Sequence, residues 1–428
     1  MSIRHLWLAT CLAGLLTAPG AGPAWASTQA SPTAPGHSLN LQTVLQAARR
    51  NPDALAAQRN AEAARADVRT ADRAPAPLLS AGVSSIDLQN GAGPGSFWTQ
   101  KRLDKSLGLD WTWERGNKRG LRTEAAERAA SAAMADSQEA QVVQQIGALG
   151  AFYELLAAQE RLQTLQALNE SARALERSAG LRLQAGDLSA QDATRVGIEA
   201  ERTQADLQSA RLAWQQAMQA LAVWTGQPVP AGGWRAEGGW PAASARAEAD
   251  IDTLIAQRPD VLAARERLAA AQAALEGAQA LRRVDPTWGA TLDHYPDGSR
   301  TQRLVALRVL VPIQTDARFE GEIGRALAQR DQARDLLDKT RLQARTELQL
   351  LLQTWQAQRQ RLQAYEERIL PPARQVAAQA EQAYGKGALS LTDLLDARRT
   401  LRITELEATA VRNEHARAQG VWQLRTAP

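Results

Sequence analysis

The chain has 428 residues, a net charge of +4, one cysteine and only 4% aromatic residues. Ala, Leu, Gln, Arg and Glu dominate outside a few short windows, a composition of long helices or coiled coils. The basic residues alternate with acidic ones along helical runs, so they read as solvated helix faces and exclude a nucleic-acid footprint. His5, His37, His294 and His415 are scattered, and no metal-ligand spacing, nucleophile elbow or phosphate-cradling glycine loop appears. The chain reads as a non-enzyme with no cofactor and no metal site.

Residues 1–26 read as a signal peptide. Arg4 supplies the basic start, Leu6 to Thr17 the apolar stretch, and Ala24-Trp25-Ala26 a small-x-small cleavage site before Ser27. Cys11 follows Leu8-Ala9-Thr10, a faint lipoprotein box, which leaves lipidation as the alternative to cleavage after Ala26. Cleavage leaves a mature chain without cysteine, hence without disulfides or thiol chemistry. No later window offers 18 consecutive apolar residues, so the exported chain is periplasmic, secreted, or held in an outer membrane by strands.

Residues 27–40, rich in Ser, Thr, Pro and Gly, read as a flexible N-terminal segment. A first repeat, 41–225, opens with helical spacing at Leu41, Val44, Leu45 and Ala48, interrupted by Asn51-Pro52-Asp53. Pro75, Pro77, Gly82, Gly91, Gly93, Pro94 and Gly95 then exclude helix. Within that window Leu107, Leu109, Trp111 and Trp113 alternate with Ser106, Gly108, Asp110, Thr112 and Glu114, a strand period of two, and Leu79, Ala81 and Val83 begin a weaker partner. A helix of roughly 67 residues, Lys118 to Gln184, follows, about 100 Å long at 1.5 Å per residue. It ends at Gly186-Asp187-Leu188-Ser189-Ala190-Gln191-Asp192, and a helix of Ala190–Val223 returns.

After an irregular linker, 226–249, the second repeat, 250–424, replays this order, with a tail of 425–428. Arg258-Pro259-Asp260 answers Asn51-Pro52-Asp53. Trp288, Ala290 and Leu292 form one strand, and Val305, Leu307, Val309 and Val311 another, with loops at Asn90 to Ser96 and Pro296 to Ser299. A long helix of about Arg318 to Tyr384 leads to Gly387-Ala388-Leu389-Ser390-Leu391-Thr392-Asp393, and Leu391–Trp422 returns. The shared pattern G-x-L-S-x-x-D lies at residues 186 and 387, 201 positions apart, and marks an internal duplication. In each copy Gly stops one helix and Ser caps the next with an Asp three residues on. Two short helices stacked end to end match the long one in length.

Strands of about 10 residues with one apolar and one polar face suit a membrane barrel. Four strands cannot close one, and open edges are not tolerated in lipid. Two copies would give eight strands, and three would give twelve and a usable lumen.

This layout, with Asn51-Pro52, the strand exit Val311-Pro312-Ile313, and Tyr384-Gly385-Lys386-Gly387 leading into Leu389-Ser390-Leu391-Thr392-Asp393-Leu394-Leu395-Asp396, resembles the TolC-type outer-membrane efflux channel family over essentially the whole mature chain. The resemblance implies a mainly α fold with a transmembrane β-barrel contribution. Duplicated helical hairpins would form a trimeric α-barrel tunnel in the periplasm, and four strands per chain a 12-stranded barrel in the outer membrane. It implies partnership with a periplasmic adaptor and an inner-membrane transporter of the resistance-nodulation-division type. Barrel strands would carry Leu107, Leu109, Trp111, Trp113, Trp288, Val305, Leu307 and Val309. A periplasmic aperture would be held by Tyr384, Asp393 and Asp396 with Asp192. Leu389 stands where one family member has an arginine, and Arg195 is the replacement cation. Gly186, Leu188, Ser189, Gly387, Leu389 and Ser390 would dock the adaptor. The resemblance favours heavy-metal cation efflux, with drug efflux and type I secretion as alternatives. The reading from another class is a periplasmic coiled-coil scaffold or adaptor, which would carry one hairpin beside a β-rich module.

Overall fold

A computed structural model describes residues 37–98, 102–242, 250–297, 300–313 and 319–427. The expected signal peptide, Cys11, residues 27–36, the linker end 243–249 and Pro428 lie outside the described residues.

The elements run β1 (His37–Leu39), α1 (Leu41–Ala48), α2 (Pro52–Ala71), β2 (Leu78–Ser84), β3 (Asp104–Thr112), α3 (Lys118–Gln184), α4 (Ala190–Thr225) and β4 (Trp234–Ala236), then α5 (Ile251–Gln257), α6 (Pro259–Ala280), β5 (Thr287–Asp297), β6 (Arg300–Leu310), α7 (Glu320–Ala364), α8 (Leu370–Gly385) and α9 (Leu391–Thr426). α3 has the 67 residues expected of it. It contains no proline, and an alanine-rich stripe buries Ala130, Ala132, Ala135, Ala148 and Ala151 against its neighbours. Small side chains there let helix axes approach closely.

The second long helix departs from expectation. It is broken into α7 and α8 by a π turn, Tyr365–Ile369. Pro371 and Pro372 follow after Leu370 and have no N–H for the carbonyls of Glu367 and Arg368, so the α ladder fails there. The turn also absorbs a one-residue insertion. Below it the repeats match at 201 residues (Ala179 and Ala380, both buried). Above it they match at 200 (Ala148 with Leu348, Leu155 with Trp355, all buried).

Short helices meet end to end at a waist partway along each repeat, and the two repeats do this with different chemistry. At the first junction Asn51 is 4% exposed. Its Nδ2 donates to the Val223 and Trp224 carbonyls at the end of α4, at 2.8 and 3.0 Å, while its Oδ1 accepts from the Asp53 N–H at 3.0 Å to cap α2. The Trp224 ring lies over Gly147, where any Cβ would fall 2.3 Å from Cε3. At the second junction the counterparts are ionic. Buried Arg258 bridges Asp260 at 2.7 Å and Glu347 at 2.8 Å. Arg425 meets Glu347 at 3.0 Å and Glu139 at 2.6 Å. Burial opposes the Arg258 charge, but its bonds to Asp260 and Glu347 outweigh that and hold the guanidinium protonated above its ordinary range. Burial pushes the Glu139 carboxyl up, with Arg425 pulling the other way.

The largest core gathers around this waist: Val44, Leu149, Phe152, Leu155, Leu221 and Trp234. Two segments read from sequence as irregular contribute to it. Residues 37–39 form β1 and pair in parallel with β4 of the linker, with His37 opposite Trp234 and Leu39 opposite Ala236. Burial of Trp234 and Ala236 drives this, a tertiary effect on three-residue strands with no local signature.

The remaining strands form one antiparallel sheet, β2-β3-β5-β6, so each repeat's pair joins the other's through β3 and β5. Trp111 faces Trp288, and Trp288 faces Val309. Three boundaries are corrected. Trp113 lies one residue past β3, its N–H donating to the Pro286 carbonyl at 3.0 Å. Val311 lies just past β6. Pro296 is not a loop residue but pairs with Thr301 inside the β5–β6 ladder, so the turn there is shorter than expected.

Candidate functional site

Two ends of the molecule carry candidate function. At the hairpin end, α3 closes on Gly186 (φ +81°), with the Asp187 N–H bonded to the Arg182 carbonyl at 2.8 Å. α8 closes on Gly387 (φ +74°), with the Ala388 N–H bonded to the Ala383 carbonyl at 2.9 Å. Only glycine adopts these left-handed angles without strain. Ser189 and Ser390 cap the returning helices: each Oγ accepts from the Asp N–H three residues on, at 3.0 and 3.2 Å. Each hydroxyl also donates to that same carboxylate, at 2.8 Å to Asp192 and 2.7 Å to Asp393. Both aspartates therefore act in caps, whatever else they do.

Beneath the turns Ala179, Val196, Ala380, Leu391 and Leu394 form a small core that ties the two hairpins together. Leu188 and Leu389 lean onto it and are half-buried, whereas Gly186, Ser189, Gly387 and Ser390 stay exposed. Arg195 lies 3.8 Å from Asp192 and donates to the Thr392 hydroxyl at 3.3 Å, a bond between hairpins of one chain. Asp396 is exposed and has no hydrogen bond or ion pair among the described residues.

Tyr384 is held by a residue that sequence reasoning missed. Arg182 donates to its hydroxyl at 3.2 Å and stands 5.7 Å from the ring centroid. A basic residue in the last turn of α3 signals only a partner for the helix C-terminus. The two hairpins are stitched further up by Arg402, which reaches Glu199 and Asp206, each at 3.3 Å.

At the opposite end, the sheet divides into two faces of different character. Leu107, Leu109, Trp111, Trp288, Val305, Leu307 and Val309, with Leu79, project from one face and are half-exposed or more, from 49% at Val309 to 82% at Leu307. Neighbouring strands bring them into register, so Leu79, Leu109, Ala290 and Leu307 form one row across all four. The other face is hydrogen-bonded within itself. Arg308 spans β5 to reach Asp110 at 2.5 Å, passing over Gly289, where a Cβ would fall 2.3 Å from the Asp110 Oδ1. Thr112 and Thr287 share a hydroxyl bond at 2.9 Å. Among the described residues no helix is long and apolar enough to cross a membrane, and no cluster of three metal-ligating side chains occurs.

Long duplicated helical hairpins joined to an amphipathic four-stranded sheet define the fold class of this chain. Residues 251–427 match the family model described as outer membrane efflux protein. The chain is 26% identical over 298 residues to the cobalt-zinc-cadmium resistance protein CzcC of Cupriavidus metallidurans, covering 67% of this chain and 68% of CzcC. Its fold is that of CusC (TM-score 0.75, 18% identity, 90% of this chain and 91% of that one). It is equally that of the Campylobacter jejuni outer membrane channel CmeC (TM-score 0.74, 17% identity, 90% and 85%). The second repeat therefore carries an outer membrane efflux protein domain, and over 90% of the chain the fold is that of outer-membrane channel proteins such as CusC and CmeC.

Proposed function

We propose that this chain is the outer-membrane exit duct of a tripartite efflux system. Three copies would form a 12-stranded barrel above a helical tunnel that projects into the periplasm. The observation that carries the reading is the sheet: its apolar face is continuous and exposed across four strands, and β2 and β6 leave two unpaired edges. Neither is stable in water or as a lone sheet in lipid, and ring closure removes both edges. Parity supports closure, because β6 of one copy runs antiparallel to β2 of the next. The repeats 41–225 and 250–424 would then be equivalent staves of one tunnel.

The hairpin end is the aperture. Asp192, Asp393 and Asp396 repeated around a symmetry axis would place rings of carboxylate at its rim, which attract cations. Arg182 with Tyr384, and Arg195 with Thr392, hold the hairpins of each chain together. Gly186, Leu188, Ser189, Gly387, Leu389 and Ser390 make the surface offered to a periplasmic adaptor, which would couple the duct to an inner-membrane transporter of the resistance-nodulation-division type. The likeness to CzcC favours divalent heavy-metal cations as cargo.

The test is planar-bilayer conductance of detergent-purified protein beside the Asp393→Ala/Asp396→Ala variant. Small cation-preferring currents are expected, enlarged or made less selective by the double substitution. A folded protein that neither inserts nor conducts refutes the duct.

A further inference from the structure

The apolar face of the sheet changes chemistry along its strands. Its rows run from Trp111–Trp288–Val309 at the helix end to Ala81–Leu107–Leu292–Val305. One row nearer the strand turns stands Val83–Lys105–His294–Arg303. Three of its four positions are basic, on adjacent strands, whereas the last row at the helix end is aromatic.

Strand alternation separates charge by sign at this level. Asp104 and Asp293 fall on the opposite face, where Asp104 accepts from Ser85 and Asp293 accepts from the Thr291 hydroxyl at 3.0 Å. Arg102 ends the β2–β3 loop near Asp87, and Arg300 closes the β5–β6 ladder opposite Asp297. Among the described residues no carboxylate forms a salt bridge with Lys105, His294 or Arg303. Lys105 donates to the Leu103 carbonyl at 3.4 Å and stands 5.3 Å from the Phe97 ring centroid. The His294 Nε2 is buried without a partner, and Arg303 is exposed without a hydrogen bond among the described residues.

Like charges directly opposite each other destabilise a strand pair, so this row calls for an anion from outside the sheet. Lys105 and Arg303 lie two strands apart, about 10 Å, and their long side chains can both reach an anion over His294. The ligand must also be apolar on one side, because the neighbouring row is Leu107, Leu292 and Val305. Phe97 and Trp98, edge to face at 5.2 Å, flank the row, and Trp98 is 77% exposed. Such rings suit the boundary between hydrocarbon and headgroups.

We propose that Lys105, His294 and Arg303 bind the phosphate headgroup of a membrane lipid in the leaflet at the turn end, with its acyl chains along Leu107, Leu292 and Val305; this rests on membrane insertion of the sheet, as in the proposed function.

The detergent-purified full chain is titrated with dioleoyl phosphatidic acid or dioleoyl phosphatidylcholine, and bound lipid is counted by native mass spectrometry. The phosphatidic acid should bind in clear preference. Lys105→Gln/Arg303→Gln should weaken it roughly thirtyfold, about fivefold for each cation. Arg102→Gln/Arg300→Gln removes the same charge from the same end and should leave binding unchanged. Inorganic phosphate at equal concentration should not compete; if it does, the site takes free anions and the lipid assignment fails. The same preparations are recorded in planar bilayers. A protein that conducts but shows no preference, or loses it equally in both double variants, overturns the site and leaves the duct standing. One that neither inserts nor conducts overturns both.

Discussion

The bond between Arg182 and Tyr384 gives the aperture reading a quantitative test. It joins the last turn of α3 to the last turn of α8, so the two hairpins of a chain cannot separate without breaking it. A hydrogen bond from a charged donor contributes about 1.5–3 kcal/mol, and this exposed one belongs at or below the lower end. The guanidinium over an exposed aromatic ring adds about 0.5–1 kcal/mol. Arg182→Ala removes both, about 2 kcal/mol per chain, which is roughly thirtyfold in the equilibrium between joined and separated hairpins. Tyr384→Phe keeps the ring and loses only the hydrogen bond, about 1 kcal/mol or roughly fivefold. In single-channel bilayer recordings the time spent in larger-conductance states should rise from wild type to Tyr384→Phe to Arg182→Ala. If Tyr384→Phe matches or exceeds Arg182→Ala, the ring contact plays no part. If neither departs from wild type, this pair does not hold the aperture.

Three other outcomes follow from the geometry. Asn51→Ala loses a helix cap and leaves the Val223 and Trp224 carbonyls unpaired, so stability should fall by about 2–4 kcal/mol in urea unfolding followed by circular dichroism, with α-helix content unchanged before the transition. Leu307→Arg on the apolar face should cost about 2–4 kcal/mol at mid-membrane and reduce recovery in the outer-membrane fraction, while Thr301→Arg near the strand turn should not. His415 is 1% exposed, and burial holds its imidazole below the ordinary value of 6.5, with Arg359 adding to that and Glu366 opposing it. Its folded pKa is depressed, so as pH falls from about 6.5 the unfolded chain takes up a proton that the folded chain refuses, and stability declines. His415→Gln should flatten the difference in urea midpoint between about pH 7.5 and 5.5.

The sequence by itself determined what depends on neighbours along the chain. Helix α3 begins and ends where Lys118 and Gln184 place it, because nothing between them breaks a helix and Gly186 must. Ser189 and Ser390 cap as their spacing with Asp192 and Asp393 dictates, since a capping box closes within four residues. Alternation from Leu107 to Trp111 fixed which side chains share a face. The repeat at 186 and 387 fixed the architecture, because one hairpin solution was used twice.

Only the tertiary structure decided what depends on residues far apart. Tyr384 was legible as a candidate, but Arg182, 202 positions earlier, became its partner through the packing of Ala179 on Ala380 and Leu394. The π turn was hidden because Pro371 and Pro372 sit in a sequence otherwise suited to unbroken helix, and the insertion it absorbs shows only when buried positions of α3 and α7 are matched. β1 and β4 form because Trp234 is buried in the waist, a long-range effect on segments too short to carry a period. The two waist junctions look alike in sequence as Asn-Pro-Asp and Arg-Pro-Asp, yet one is closed by amide and indole contacts and the other by buried ions. That difference was set by Gly147 and Glu347, which a helical period treats as interchangeable positions and three-dimensional packing does not.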